Sequence, residues 1–227
     1  MSHLFAGRRF QRRTVCAAGL LLACTLRAPL NAQGAGTEQI SDVRVRTAIQ
    51  LVFRNTQAKG VPTEPLARKV REGVSKQADP ARIQSAVQLL AQRLETSFQA
   101  LAPITSLEEL SAGAGALQVG VPAQTLRELR KLSPTQPLTV PLGILTELVA
   151  HQVPVALATR KIRELLARGA NNAQLVALGE NVEADVAAGM VPDAALDLRA
   201  KGVMSLLTAP VGVTTVVPSA KPPIRPK

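Results

Sequence analysis

Between residues 38 and 208, apolar side chains recur at intervals of three and four, as at Ile49, Val52 and Phe53, and at Ile83, Val87, Leu90 and Leu94. That spacing gathers them on one side of an α-helix. No sustained alternation with period two occurs before residue 209, so no strand is expected in this stretch. A short motif punctuates the pattern: Gly60-Val61-Pro62, Gly120-Val121-Pro122, Gln152-Val153-Pro154 and Gly189-Met190-Val191-Pro192. Val140-Pro141 shares its last two positions, and Gly169-Ala170-Asn171 carries Asn in place of Pro.

The motif has a physical reading. Gly tolerates the left-handed conformation that closes one helix. If Pro or Asn caps the next helix, the residue before it lies five positions from an apolar partner one turn in, the spacing of a hydrophobic staple. The pairs are Val61 with Leu66, Val121 with Leu126, Val140 with Leu145, Val153 with Ala158, and Val191 with Leu196. Ala78 with Ile83 across Asp79, and Ala170 with Leu175 across Asn171, fit the same frame. Ser106 with Glu109 reads as a capping box. Helix starts are therefore predicted at 62, 79, 106, 122, 141, 154, 171 and 192, with one long helix over 81–100.

An all-α protein follows, an irregular helical bundle or short α-solenoid of about eight or nine helices. Connections of two to four residues predict that consecutive helices are neighbours. Similarity outside the joints is slight, and the tetratricopeptide and ankyrin signatures are absent. The predicted organisation is an N-terminal signal peptide over 1–32, a leader over 33–37 and a first helical half over 38–132. A Pro-rich break over 133–140 leads to a second helical half over 141–208 and a disordered Pro-rich basic tail over 209–227. Within that tail, residues 211–217 are rich in β-branched side chains.

The N-terminus reads as an address. Arg8, Arg9, Arg12 and Arg13 precede an apolar run over 15–26, and no acid occurs before residue 33. A basic segment, a short apolar core and a small-residue exit form the layout of a secretory signal, with cleavage expected between Ala32 and Gln33. The run is too short for a membrane span of about 20 residues, and no span is expected in the mature chain. Leu21-Leu22-Ala23-Cys24 resembles the bacterial lipobox, making Cys24 the candidate lipidation site. The paired arginines resemble a twin-arginine signal without its full surrounding pattern.

Composition then changes the meaning of the charge. The chain has 227 residues and a formal net charge of +11. Five of its arginines lie in the signal, and Lys221, Arg225 and Lys227 lie in the tail. The helical body is left only slightly basic. Its densest basic stretch is Arg160, Lys161, Arg163 and Arg168, the candidate surface for an anionic partner; Arg127, Arg130 and Lys131 form a second. Solvated helix faces are the default reading of both. There is no Tyr or Trp, so nothing interleaves to stack bases and no nucleic-acid partner is expected.

The residues of chemistry are sparse. Two Cys and two His exclude a disulfide framework and a Cys/His zinc site, and no cofactor is expected. His151 is the only histidine beyond the signal, and no Gly-x-Ser-x-Gly elbow accompanies it. Its expected place is a helix C-terminus, where it meets the dipole. Glu108 and Glu109 read as first-turn acids, and Glu180, Glu183 and Asp185 as a solvated helix face. Ala112-Gly113-Ala114-Gly115-Ala116 lacks the Lys of a phosphate-binding loop and reads as a closely packed or flexible small-residue patch. The functional expectation is an exported, non-enzymatic helical protein, periplasmic or extracellular, serving as a binding or scaffolding module for an envelope protein or an anionic membrane surface. The alternatives are an envelope hydrolase using paired Glu/Asp carboxylates and a membrane-tethered lipoprotein.

Overall fold

The computed structural model describes residues 36–103 and 106–208. The expected signal peptide, the Ala32–Gln33 cleavage point, Cys24 and the basic tail lie outside the described residues. Among the described residues the chain is all-helical. A single 3-10 turn, Thr37–Gln39, leads into α1 (Val43–Ala58), α2 (Glu64–Ser75), α3 (Pro80–Leu101) and α4 (Leu107–Gln118). There follow α5 (Ala123–Leu132), α6 (Thr139–Ala150), α7 (Val155–Ala167), α8 (Asn172–Ala187) and α9 (Pro192–Thr208).

Six helix ends repeat one joint. After α4, the Gly120 N–H donates to the Leu117 carbonyl and the Val121 N–H to the Ala116 carbonyl. This is the Schellman arrangement, closed by a residue in the left-handed region. The same two bonds close α1 at Gly60, α2 at Gln77, α6 at Gln152, α7 at Gly169 and α8 at Gly189. At four of these six joints the apolar residue after the left-handed one is buried together with an apolar residue in the first turn of the helix that follows. Val61, Val121, Val153 and Ala170 are buried, as are Leu66, Leu126, Ala158 and Leu175 opposite them. One side chain thus ends one helix and aims the next.

The helix starts at Asp79, Ser106, Pro122, Pro154 and Asn171 stand where the spacing put them. Three do not. Thr63 caps α2, one residue later than expected, and Leu138 caps α6, three residues before Pro141. In α9 Pro192 is the first helical residue, the position where a missing N–H costs nothing. That slip moves the joint residue back to Met190 and leaves Val191 66% exposed, so the Val191–Leu196 staple does not form. The capping box at α4 is also half made: the Ser106 hydroxyl accepts from the Glu109 N–H, but the Glu109 carboxylate points elsewhere.

Packing skips one helix at a time. α1 lies on α3, α3 on α5, α5 on α7 and α7 on α9; α4 lies on α6 and α6 on α8. Between the two rows, α2 packs on α3, α3 on α4, α6 on α7 and α8 on α9. The other consecutive pairs do not pack extensively, contrary to the sequence expectation, because a short joint brings helix ends together without aligning their axes. The buried apolar residues are Leu, Val, Ile and Ala, with Phe53 and Phe98 only partly covered. They form two clusters. One joins α1, α2, the first part of α3, Leu110 and Ala114; the other runs from Ala100 and Leu101 through Leu145 and Leu165 to Ala200. No helix among the described residues is long and apolar enough to cross a membrane.

Candidate functional site

The anionic-partner patch does not gather on one free surface. Arg160, Lys161 and Arg163 stand on α7, and Arg168 caps its end. Lys161 Nζ lies 2.8 Å from Asp197 Oδ1 of α9, and Arg163 Nη1 lies 2.9 Å from Glu128 Oε2 of α5. Arg168 pairs with Glu164 at 3.3 Å, one turn back. Lys161 is largely covered, and its hydrogen bond holds the Asp197 carboxyl below the usual range. Three of the four cations therefore tie α7 to its neighbours or to itself.

The second basic stretch divides as well. Arg130 is buried, with 8% of its side chain exposed, and pairs with Glu109, 3% exposed. Arg130 Nη2 donates to Glu109 Oε1 at 2.5 Å, and the same oxygen accepts from the Leu138 N–H at 2.6 Å. Arg130 Nε donates to the Leu101 carbonyl at 3.0 Å, while Nη1 reaches the carbonyls of Ser133 and Gln136. One guanidinium thus binds the end of α3, the start of α4 and the turn between α5 and α6. The sequence reading of Glu109 as a first-turn acid and Arg130 as a surface cation missed this hub. A signal was present: each charge stands in an apolar stripe, Glu109 with Gly113 and Ala116, Arg130 with Leu126 and Leu129.

Of the later acids, Glu180 and Glu183 stand on an exposed face of α8, and Asp185 holds a structural post. Asp185 takes Arg199 in a two-bond fork, Nε to Oδ2 and Nη2 to Oδ1, each at 2.6 Å. Those bonds hold the Asp185 carboxyl low and the Arg199 guanidinium high. His151 caps α6 as expected, with Nε2 3.8 Å from Glu183 Oε1. Glu108 is held below the usual carboxylate range by its own backbone N–H and by the Ser106 hydroxyl. No group of three His, Cys, Asp or Glu among the described residues has the arrangement of a metal site.

The residues around Gly113 are a packed patch. A Cβ at Gly113 would collide with the Ser97 hydroxyl and approach Leu101 Cδ1 to 2.9 Å. α4 thus packs its Gly113 directly against Ser97 and Leu101 of α3.

Two grooves merit comparison. A polar one of about 470 Å³ between α2 and α3 contains Lys69, Glu72, Lys76, Asp79 and Arg82. Its acids are already engaged: Glu72 by Lys69 and Lys76, Asp79 by the N–H groups of Ala81 and Arg82. The other, of about 420 Å³, lies between α8 and α9 and is lined by Ala177, Leu178, Asn181, Leu198, Gly202, Val203 and Leu206, with Arg199 at its side. Here α9 turns apolar residues outward: Leu198 is 53% exposed and Leu206 70%. Ala194 and Gly202 lie exposed on the same stripe, and Val176 is exposed on α8. No protein-family model, no curated protein and no solved structure matches the chain.

Proposed function

We propose that this protein is an exported helical scaffold that acts by binding through the outer face of α8 and α9. The observation carrying the reading is that exposed apolar face. α9 is apolar on two sides, with Ala195, Leu196 and Ala200 buried and Leu198 and Leu206 outward. Repeated helical arrays normally finish on a polar outer surface. An apolar end is the mark of an interaction surface. The skip-one packing of the helices supports the short-solenoid form of the fold over an irregular bundle.

The carboxylates favour binding over hydrolysis. Hydrolysis by paired carboxylates, as in glycosidases, needs two carboxyl groups flanking one cleft. Glu109, Asp185 and Asp197 instead engage Arg130, Arg199 and Lys161, and the apolar groove contains no acid. Export rests on the clustered arginines, the apolar run and the small residues before Gln33. The lipobox-like Cys24 is the alternative address.

Intact-mass spectrometry of the protein recovered from producing cells tests the address. A chain beginning at Gln33 is expected; one beginning at acylated Cys24 makes it a tethered lipoprotein, and an unprocessed Met1 chain overturns export. Leu198→Glu tests the surface. The variant is expected to fold as wild type and to lose the loss-of-function rescue that wild type gives; full rescue by a folded variant overturns the binding reading.

A further inference from the structure

We propose that the outer face of α8 and α9 docks α1 of a second copy, so that chains associate head to tail. The inference rests on the binding reading above and names the partner. α1 touches α3 and the 3-10 turn, and α9 touches α7 and α8, so these helices stand at opposite ends of the row α1–α3–α5–α7–α9. Within the array, α6 is covered by α7 and by α8. By the same rule the groove between α8 and α9 is the seat of one more helix, and the described residues supply none.

The face of α1 suits that seat. Val43, Thr47, Leu51, Arg54 and Ala58 share one side at helical spacing and are exposed, with Val43 65% and Leu51 49% accessible. Arg44 adjoins them, and neither it nor Arg54 makes an ion pair among the described residues. The small Ala194 and Gly202 on α9 allow a helix to approach closely, and a Cβ at Gly202 would meet nothing within 4 Å.

Charge selects the orientation. Residues 36–103 hold ten Lys and Arg against six Asp and Glu; residues 172–208 hold five acids, and with Asp185 taken by Arg199 and Asp197 by Lys161 of α7, Glu180, Glu183 and Asp193 remain against Lys201. A basic end and an acidic end attract in a head-to-tail contact. Two α9 faces meeting about a twofold axis would bring acidic ends together. The contact is heterologous, since the two surfaces differ, so it propagates unless the rotation closes a ring.

Sedimentation equilibrium on the processed chain tests this with two variants at exposed positions, Leu198→Glu and the double variant Leu51→Glu/Arg54→Glu. Circular dichroism and the thermal midpoint verify that both are folded. Wild type is expected to grow beyond a dimer with concentration, less so as salt rises. Each variant alone is expected to be monomeric, and their equimolar mixture to form one capped heterodimer, because each supplies the end that the other lacks. A wild type that stays monomeric to hundreds of micromolar overturns the proposal. So does association lost in Leu198→Glu but kept in the α1 variant, the outcome of an α9–α9 pair. A monomeric wild type whose Leu198→Glu variant still fails to rescue overturns self-association alone and leaves the binding reading standing; full rescue by that variant defeats the reading itself.

Discussion

Glu109 and Arg130 form a buried ion pair in which one carboxylate oxygen accepts from both Arg130 Nη2 and the Leu138 N–H. The pair joins four chain segments at the place where α3, α4, α5 and α6 converge. Removing one partner leaves an uncompensated buried charge, which costs about 3–5 kcal/mol. Glu109→Ala is expected to lower the unfolding free energy by about that amount, read from the urea midpoint. Replacing both, as Glu109→Leu with Arg130→Met, should recover much of the loss, though the carbonyls of Leu101, Ser133 and Gln136 then lose their donor. A Glu109→Ala protein as stable as wild type would remove the pair from the account.

The glycines of α4 and α6 should respond oppositely to one substitution. Gly to Ala in a helix ordinarily gains about 1 kcal/mol. At Gly143 a Cβ meets nothing within 4 Å, so Gly143→Ala should be stabilising. At Gly113 the new carbon runs into Ser97 and Leu101, and overpacking of that kind costs about 1–3 kcal/mol. Thermal midpoints of the two variants should therefore move in opposite directions.

The repeated joint predicts a pair of opposite effects. Gly120 has φ +93°, and Gln152 holds φ +67° in the equivalent position. A side chain in that region costs about 1–2 kcal/mol. Gly120→Ala should lose about 1 kcal/mol, and Gln152→Gly should gain roughly 0.5–1 kcal/mol. Urea unfolding of both variants checks the sign.

Acid should weaken the exposed face of α2. Hydrogen bonds from Lys76 and then Lys69 pull the Glu72 carboxyl from 4.5 to about 2. A carboxyl depressed in the folded state contributes stability that is complete above its unfolded value and lost as pH falls through the folded one. The gap in thermal midpoint between wild type and Glu72→Gln should thus be constant above pH 5, narrow below 4.5 and close near 2. High salt should shrink it throughout, because both lysines are exposed.

The legibility of this chain follows from where each interaction lies in sequence. Helix closure and helix entrance are local, so Gly120-Val121-Pro122 and Gly169-Ala170-Asn171 reveal their joints directly; the structure adds Gln174, which completes a capping box with Asn171. A core built mainly of Leu, Val, Ile and Ala follows from a chain with no Tyr or Trp and only two Phe beyond the signal, both partly covered. Arg130 lies 21 residues from Glu109 and 29 from Leu101. Nothing local distinguishes it from Arg127 except its place in the apolar stripe. Nothing local marks the α9 face either. Leu198 and Leu206 fit helical periodicity, but periodicity gives the angle around a helix and not which sides find neighbours. Pro192 at the first helical turn then shifted the frame by one residue and brought Val191 to the surface.

The most direct test of the account is photo-crosslinking in the producing cell, with a photoreactive residue at Leu198 and, for comparison, at exposed Gln88 on α3. The account predicts a discrete adduct from position 198, found with the processed chain in the envelope fraction, and none from position 88. Equal labelling from both positions, or none from 198, would contradict it.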